Sequence, residues 1–353
     1  MLNAKKYKFD KRTSTNDWQL QEYTLAPEMV GEHFAAQMVD DNIYLFGGLH
    51  LNPFYGLHHV AQVRATSSQT QAWQIVADMT VEDGFEQPWF TSTNNAHTLS
   101  SYPSDIFLSC EDSQHGQIWK FDTNTLQFQT VAIMPVLLED CCVVSRGDTM
   151  YIIGGDDNQN VYNLTQIYHY PTDEWIVGAA IPTADGLEQH SCVNVNDEYL
   201  YAFGGSHGRD VAQLSANKNA YKYDIVNDEW KVIVDVFDEV AEYQQGVSFL
   251  GVNAIPHTPY ILVSGGTTAT TPTTPRQFVT TVLLFNVERD QVELDADVPQ
   301  LNKRRGGAAY AVSMHRNRKK QSIVRIYAIG GVQNEDEPMF TDTTEMLKIK
   351  IKH

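Results

Sequence analysis

A short apolar run ending in two glycines recurs along the chain. It reads NIYLFGG at 42–48, MYIIGG at 150–155, YLYAFGG at 199–205, YILVSGG at 260–266 and RIYAIGG at 325–331. A degenerate copy, DIFLSCE at 105–111, fills the one long gap, so six copies stand 62, 45, 50, 61 and 65 residues apart. Each has a small-residue segment upstream, as in HFAAQMV (33–39), DCCVVSR (140–146), HSCVNVN (190–196) and RGGAAYAV (305–312). Downstream come aromatic segments such as IWKFD (118–122), IYHYP (167–171) and AYKYD (220–224), then segments opening on tryptophan, such as EWIVGAAIP (174–182) and EWKVIVDV (229–236). These runs have the length and turn boundaries of strands, and no stretch carries helical periodicity. The sequence therefore predicts four strands per unit, repeated six times.

Four-stranded units arranged radially are the blades of a β-propeller. Small first-strand residues suit the crowded axis, the glycine pair suits a backbone close to its neighbours, and outer aromatics suit the widening wedge between blades. The pattern of apolar strand, Gly-Gly, spaced Tyr and later Trp resembles the kelch repeat family. Trp18, Trp73, Trp175 and Trp230 hold the outer position, whereas the second unit has Phe128 there and the fifth Val292. The resemblance implies an all-β fold: a six-bladed kelch propeller of four-stranded antiparallel blades, one domain over residues 1–353. Residues 7–23 read as late strands lacking early ones, and the last unit ends on EMLKIKIKH without a fourth strand. The N-terminal strand is therefore expected to close the last blade. Residues 346–351 take its third position over residues 7–10, leaving 1–11 peripheral.

Composition narrows the class. With 42% hydrophobic residues the chain can bury a large core, and no apolar run is long enough to span a bilayer. The net charge of −19 argues against nucleic-acid binding. Four cysteines without metal-ligand spacing, behind an N-terminus with no apolar leader segment, lead to an expectation of reduced thiols in a cytoplasmic monomer. Charge is uneven: residues 13–302 hold 38 acidic and 9 basic residues, while the two ends that form the closing blade carry the other 16 basic residues.

Propeller ligands gather where strand ends meet the central channel. Starts of the innermost strands supply His33, Glu139, Asp140, Gln189, His190, Gln244, Gln245, Arg304 and Arg305, and residues after the glycine pairs supply His50, Asp156, Asp157, His207 and Arg209. These fourteen are the candidate ligand-binding residues. The mixture of histidines, carboxylates and arginines suits a charged protein or peptide partner. No Gly-x-Ser-x-Gly, phosphate loop or His-Glu-x-x-His is present. The histidines lie on separate units without ligand spacing, so no metal, cofactor or catalytic residue is expected. The first functional expectation is a non-enzymatic interaction module. The alternative, drawn from fold-level similarity to bacterial sialic-acid mutarotases, is a carbohydrate-modifying enzyme with Arg304 or Arg305 holding a carboxylate and Glu139 or His190 as base.

Overall fold

The structure, a computed structural model, describes residues 19–21, 31–32, 34–52, 56–59, 62–67, 72–78, 96–110, 116–157, 159–207, 215–268, 277–316, 322–334 and 340–351. Among these, six four-stranded antiparallel sheets follow one another along the chain, called blades 1 to 6 below. Blade 3 shows the plan: Cys142–Arg146, Thr149–Ile153, Thr165–His169 and Glu174–Gly178 pair in sequence order. The first strands of blades 1 to 6 are Ala35–Val39, Ala96–Leu99, Cys142–Arg146, Ser191–Val195, Gly251–Ala254 and Ala309–Arg316, and they neighbour one another in a closed circuit. In blade 6 the order is Ala309–Arg316, Ser322–Ile329, Thr344–Ile351, and then Gln19–Gln21, whose Gln19 lies opposite Met346. The N-terminal strand thus completes the last sheet. Residues 7–10 and Trp18 lie outside the described residues. No helix among the described residues is long and apolar enough to cross a membrane.

The core is divided among the gaps between blades. Because strand residues alternate between faces, Tyr201 and Phe203 pack toward blade 5 with Ile261, Val263 and Phe285, whereas Leu200 and Ala202 pack toward blade 3 with Tyr151 and Ile153. Corresponding clusters fill the remaining gaps, including the one between blades 6 and 1, where Tyr327 and Ile329 meet Ile43 and Leu45. The outer edges are held by a recurring device. Trp175 stacks on Tyr168 and Trp230 lies over Tyr223, with centroids 4.8 and 4.9 Å apart. The Tyr168 hydroxyl in turn donates to Asp173 at 3.0 Å. In blade 2, Phe128 takes the tryptophan's place against Phe121 and Trp119.

The glycine pair has a geometric cause. At φ +61° and +98°, Gly154 and Gly155 occupy backbone conformations that side chains disfavour. A Cβ on Gly154 would sit 2.3 Å from the Leu187 carbonyl oxygen entering the next blade, and one on Gly155 would sit 2.4 Å from the Glu139 carbonyl oxygen of its own blade. One expectation is corrected here. Cys142 and Cys192 form a disulfide, with Cα atoms 5.9 Å apart, while Cys141 is a buried thiol. Cys142 pairs with Ile153, directly before the glycine pair of blade 3, but Cys192 pairs with Ala202, one residue further from the pair of blade 4. That one-residue offset puts the two side chains on opposite blade faces, so they point into the same gap.

Candidate functional site

At the entrance of the first strands, Asp140, Gln189, Phe249 and Gly307 occupy matching positions, all with left-handed φ between 50° and 63°. The Gln189 amide donates to the Asp140 carbonyl, that of Phe249 to Gln189, and that of Gly307 to Phe249, each at 3.0 Å. These bonds link blades 3, 4, 5 and 6 edge to edge. The residue before each left-handed position pairs with one just after its blade's glycine pair. Glu139 exchanges backbone bonds with Asp156, Glu188 with Ser206, and Gly306 with Val332. Two hydrogen-bonded turns of backbone therefore position the side chains of this face.

On blades 3 and 4 those side chains are carboxylates. Asp140, Asp156 and Glu188 offer oxygens that all lie within 4.8 Å of one another. Asp156 and Glu188 are buried and Asp140 is half-buried. Gln189 donates its side-chain amide to Asp140 Oδ2 at 3.0 Å, and Ser206 donates toward Gln189 Oε1 at 3.3 Å and Glu188 Oε1 at 3.4 Å. His207 donates from Nδ1 to the Gly186 carbonyl at 2.7 Å, tying the strand after the glycine pair to the connection entering blade 4. The matching positions of blades 5 and 6, Ser248 with Phe249 and Gly306 with Gly307, bring no charge.

Several sequence candidates hold other posts. Asp157 accepts from the Tyr162 hydroxyl at 2.7 Å and from the amides of Gln159 and Asn160, which pulls its carboxyl down to about 2 and closes a local turn. His190 is buried against Gly154 and Gly205; burial first, and then the neighbouring His207, drive its pKa down to about 3, so it is neutral at physiological pH. Arg305 is wholly buried and joined to Glu345 at 3.0 Å, so its charge is spent inside blade 6. Arg304, one residue earlier, is exposed. Gln244 and Gln245 are exposed just after the 3-10 turn Ala241–Tyr243, upstream of the rim positions, because the first strand of blade 5 begins at Gly251. His33 and Arg209 lie outside the described residues, and of His50 only the backbone is described, paired with Gly31. Glu188 was missed by reading back from the glycines, since blade 4 carries one residue more than blade 3 in that interval.

The kelch motif profile matches residues 139–180 and 190–236, which span blades 3 and 4. Blades 3 and 4 are kelch repeats. The glycine pairs and Tyr–Trp stacks of both blades and the blade 3 carboxylates Asp140 and Asp156 fall within the matched residues, and Glu188 lies between the two matches. No curated protein matches the sequence. Among solved structures, one titled "Structure of YjhT" superposes with a TM-score of 0.62 at 16% identity, over 81% of this chain and 90% of that one. At that identity the likeness concerns the fold. Altogether 634 solved chains match, and a shared fold does not by itself select an activity.

Proposed function

We propose that the chain is a non-enzymatic interaction module that receives a cationic side chain of a peptide or protein partner at the entry face of blades 3 and 4. The observation that carries this reading is the convergence of Asp140, Asp156 and Glu188 within 4.8 Å. Grouped carboxylates in a partly buried setting favour a guanidinium or ammonium, which supplies several donors at once. The acidic excess over residues 13–302 acts in the same direction, because a one-sign field raises the encounter rate with a basic partner. The test is calorimetric titration with an arginine-rich peptide, beside the variants Asp140→Asn and Glu188→Gln. Binding is expected to weaken at least tenfold in each variant, while an acidic peptide of equal length does not bind. Equal affinity of wild type and both variants for the basic peptide refutes the reading.

A second reading, a sugar-modifying enzyme of the mutarotase kind, draws on the Asp140–Gln189–Ser206–Glu188 hydrogen-bond network. Carboxylates, amides and hydroxyls are the groups that hold sugar hydroxyls, and a carboxylate can take the proton of the anomeric hydroxyl as the ring oxygen is protonated and the ring opens. Anomer exchange of a sialic acid followed by proton NMR decides it. Acceleration by wild type that disappears in Glu188→Gln supports the enzyme, and exchange at the spontaneous rate removes it.

A further inference from the structure

Among the described residues, most cations of blades 2 to 5 meet carboxylates: Lys120 with Asp105, Lys218 with Asp238, Lys222 and Lys231 with Asp290, Arg289 with Glu293. On the blade 6 face turned away from the buried Arg305–Glu345 pair, cations crowd together instead. Arg325 lies opposite both Ser313 and Lys348, and the next cross-strand row on that face joins His315, Ile323 and Lys350. Arg325 donates to His315 Nδ1 at 2.8 Å, which leaves Nε2 as the ring's proton-bearing donor. Arg316 follows on the same strand and is exposed. Among the described residues, Arg316, Arg325, Lys348 and Lys350 pair with no carboxylate within ion-pair distance. Like charges on directly opposed strand positions destabilise a sheet, and an anion placed between them relieves that repulsion.

We propose that His315, Arg325 and Lys348 form a binding site for a phosphoryl oxyanion, with Lys350 at its margin. Three donors from three adjacent strands converge on one patch, and guanidinium and ammonium groups together suit a compact, doubly charged tetrahedral anion. At physiological ionic strength the screening length is about 8 Å, so the patch acts on a small anion independently of the molecule's negative total. This site is separate from the entry face of blades 3 and 4 and stands whether or not that face binds a cation.

His315 supplies its own reporter. Burial, and then Arg325 and Lys348, hold its pKa below the usual imidazole value, while Asp41 on the first hairpin of blade 1 opposes them. Among the described residues, the charged groups that act on the ring are Arg325, Lys348 and Asp41, with Lys350 in its cross-strand row. The ring titration is followed by NMR in inorganic phosphate and in chloride at equal ionic strength, with the signal assigned by its loss in His315→Gln. Phosphate is expected to raise the midpoint by about one unit relative to chloride. Lys348→Gln and Arg325→Gln should raise the chloride midpoint and remove most of the phosphate response; Asp41→Asn should lower the midpoint and leave the response intact. Co-sedimentation with vesicles of phosphatidylcholine and phosphatidylserine separates the sources. Vesicle binding that is competed by phosphate and lost in Lys348→Gln assigns a lipid headgroup, whereas a phosphate response without vesicle binding assigns a free phosphate or monoester. An identical midpoint in phosphate and chloride overturns the site.

Discussion

The buried pair of Arg305 and Glu345 gives the sharpest test of how blade 6 is held to the rest of the ring. Arg305 donates to Glu345 Oε1 from Nε and Nη2 at 3.2 and 3.0 Å, and to the Gly330 carbonyl and the Thr343 carbonyl and hydroxyl. Glu345 also accepts from the backbone amides of Asn302 and Lys303 and from the Asn302 side chain. One residue pair therefore fixes the connection from blade 5 onto the third strand of blade 6. Neutralising Glu345 leaves a guanidinium with no counter-charge in a site of zero exposure, a change that costs about 3–5 kcal/mol. Arg305→Met should fall toward the lower end of that range, because the carboxylate keeps its three donors from residues 302 and 303. Glu345→Gln should fall toward the upper end. The double variant removes both charges while the single glutamine oxygen still accepts from Asn302, so its loss should be well below the sum of the single losses. Urea unfolding followed by tryptophan fluorescence supplies the three differences. Losses that add to within about 0.5 kcal/mol would show that the two groups are not coupled and refute this account.

Two further outcomes follow from inter-blade contacts. In the folded protein Cys142 and Cys192 should resist alkylation until a reductant is added, and Cys192→Ser should lower stability by about 4 kcal/mol, as expected for a crosslink closing a 50-residue loop; full alkylation of the unreduced, unfolded chain at both positions would contradict it. Asp290 receives Tyr201, Lys222 and Lys231 across the gap between blades 4 and 5, and although burial acts the other way, these partners hold its carboxyl below the ordinary range. A depressed folded pKa stabilises above the unfolded value of about 3.9, and this contribution disappears as pH falls through the folded value. Melting temperatures should therefore decline less steeply below about pH 4 in Asp290→Asn than in wild type, and parallel declines would remove the effect.

Most of the fold was legible because the signal repeats. All five glycine pairs take positive φ, and in blades 3 to 5 a neighbouring carbonyl also excludes a Cβ, so the repeated constraint is visible in one chain. Ring closure was legible from the strands missing at each end. The candidate site was legible only in part, since its residues are defined by offset from the glycine pair and the offset varies. One additional residue in blade 4 hid Glu188 and the facing of Cys192, and the 3-10 turn before blade 5 displaced Gln244 and Gln245. Arg305 and His190 could not be assigned from the sequence because exposed and buried polar residues look alike there. Only the fold shows that Arg305 meets Glu345, 40 residues away, and that His190 lies against two glycines.

The hydrogen-bonded series through Asp140, Gln189, Phe249 and Gly307 allows the face to vary without changing its backbone. An acid, an amide, an aromatic ring and a hydrogen atom occupy one backbone conformation and make one backbone bond. Geometry and chemistry are thus specified by different atoms: the main chain sets the aperture, and the side chains decorate it at little structural cost. The aperture is decorated unevenly, with carboxylates on the arc of blades 3 and 4 and uncharged groups at the matching positions of blades 5 and 6. One backbone arc has thus acquired a polarity, negative at one end and uncharged at the other.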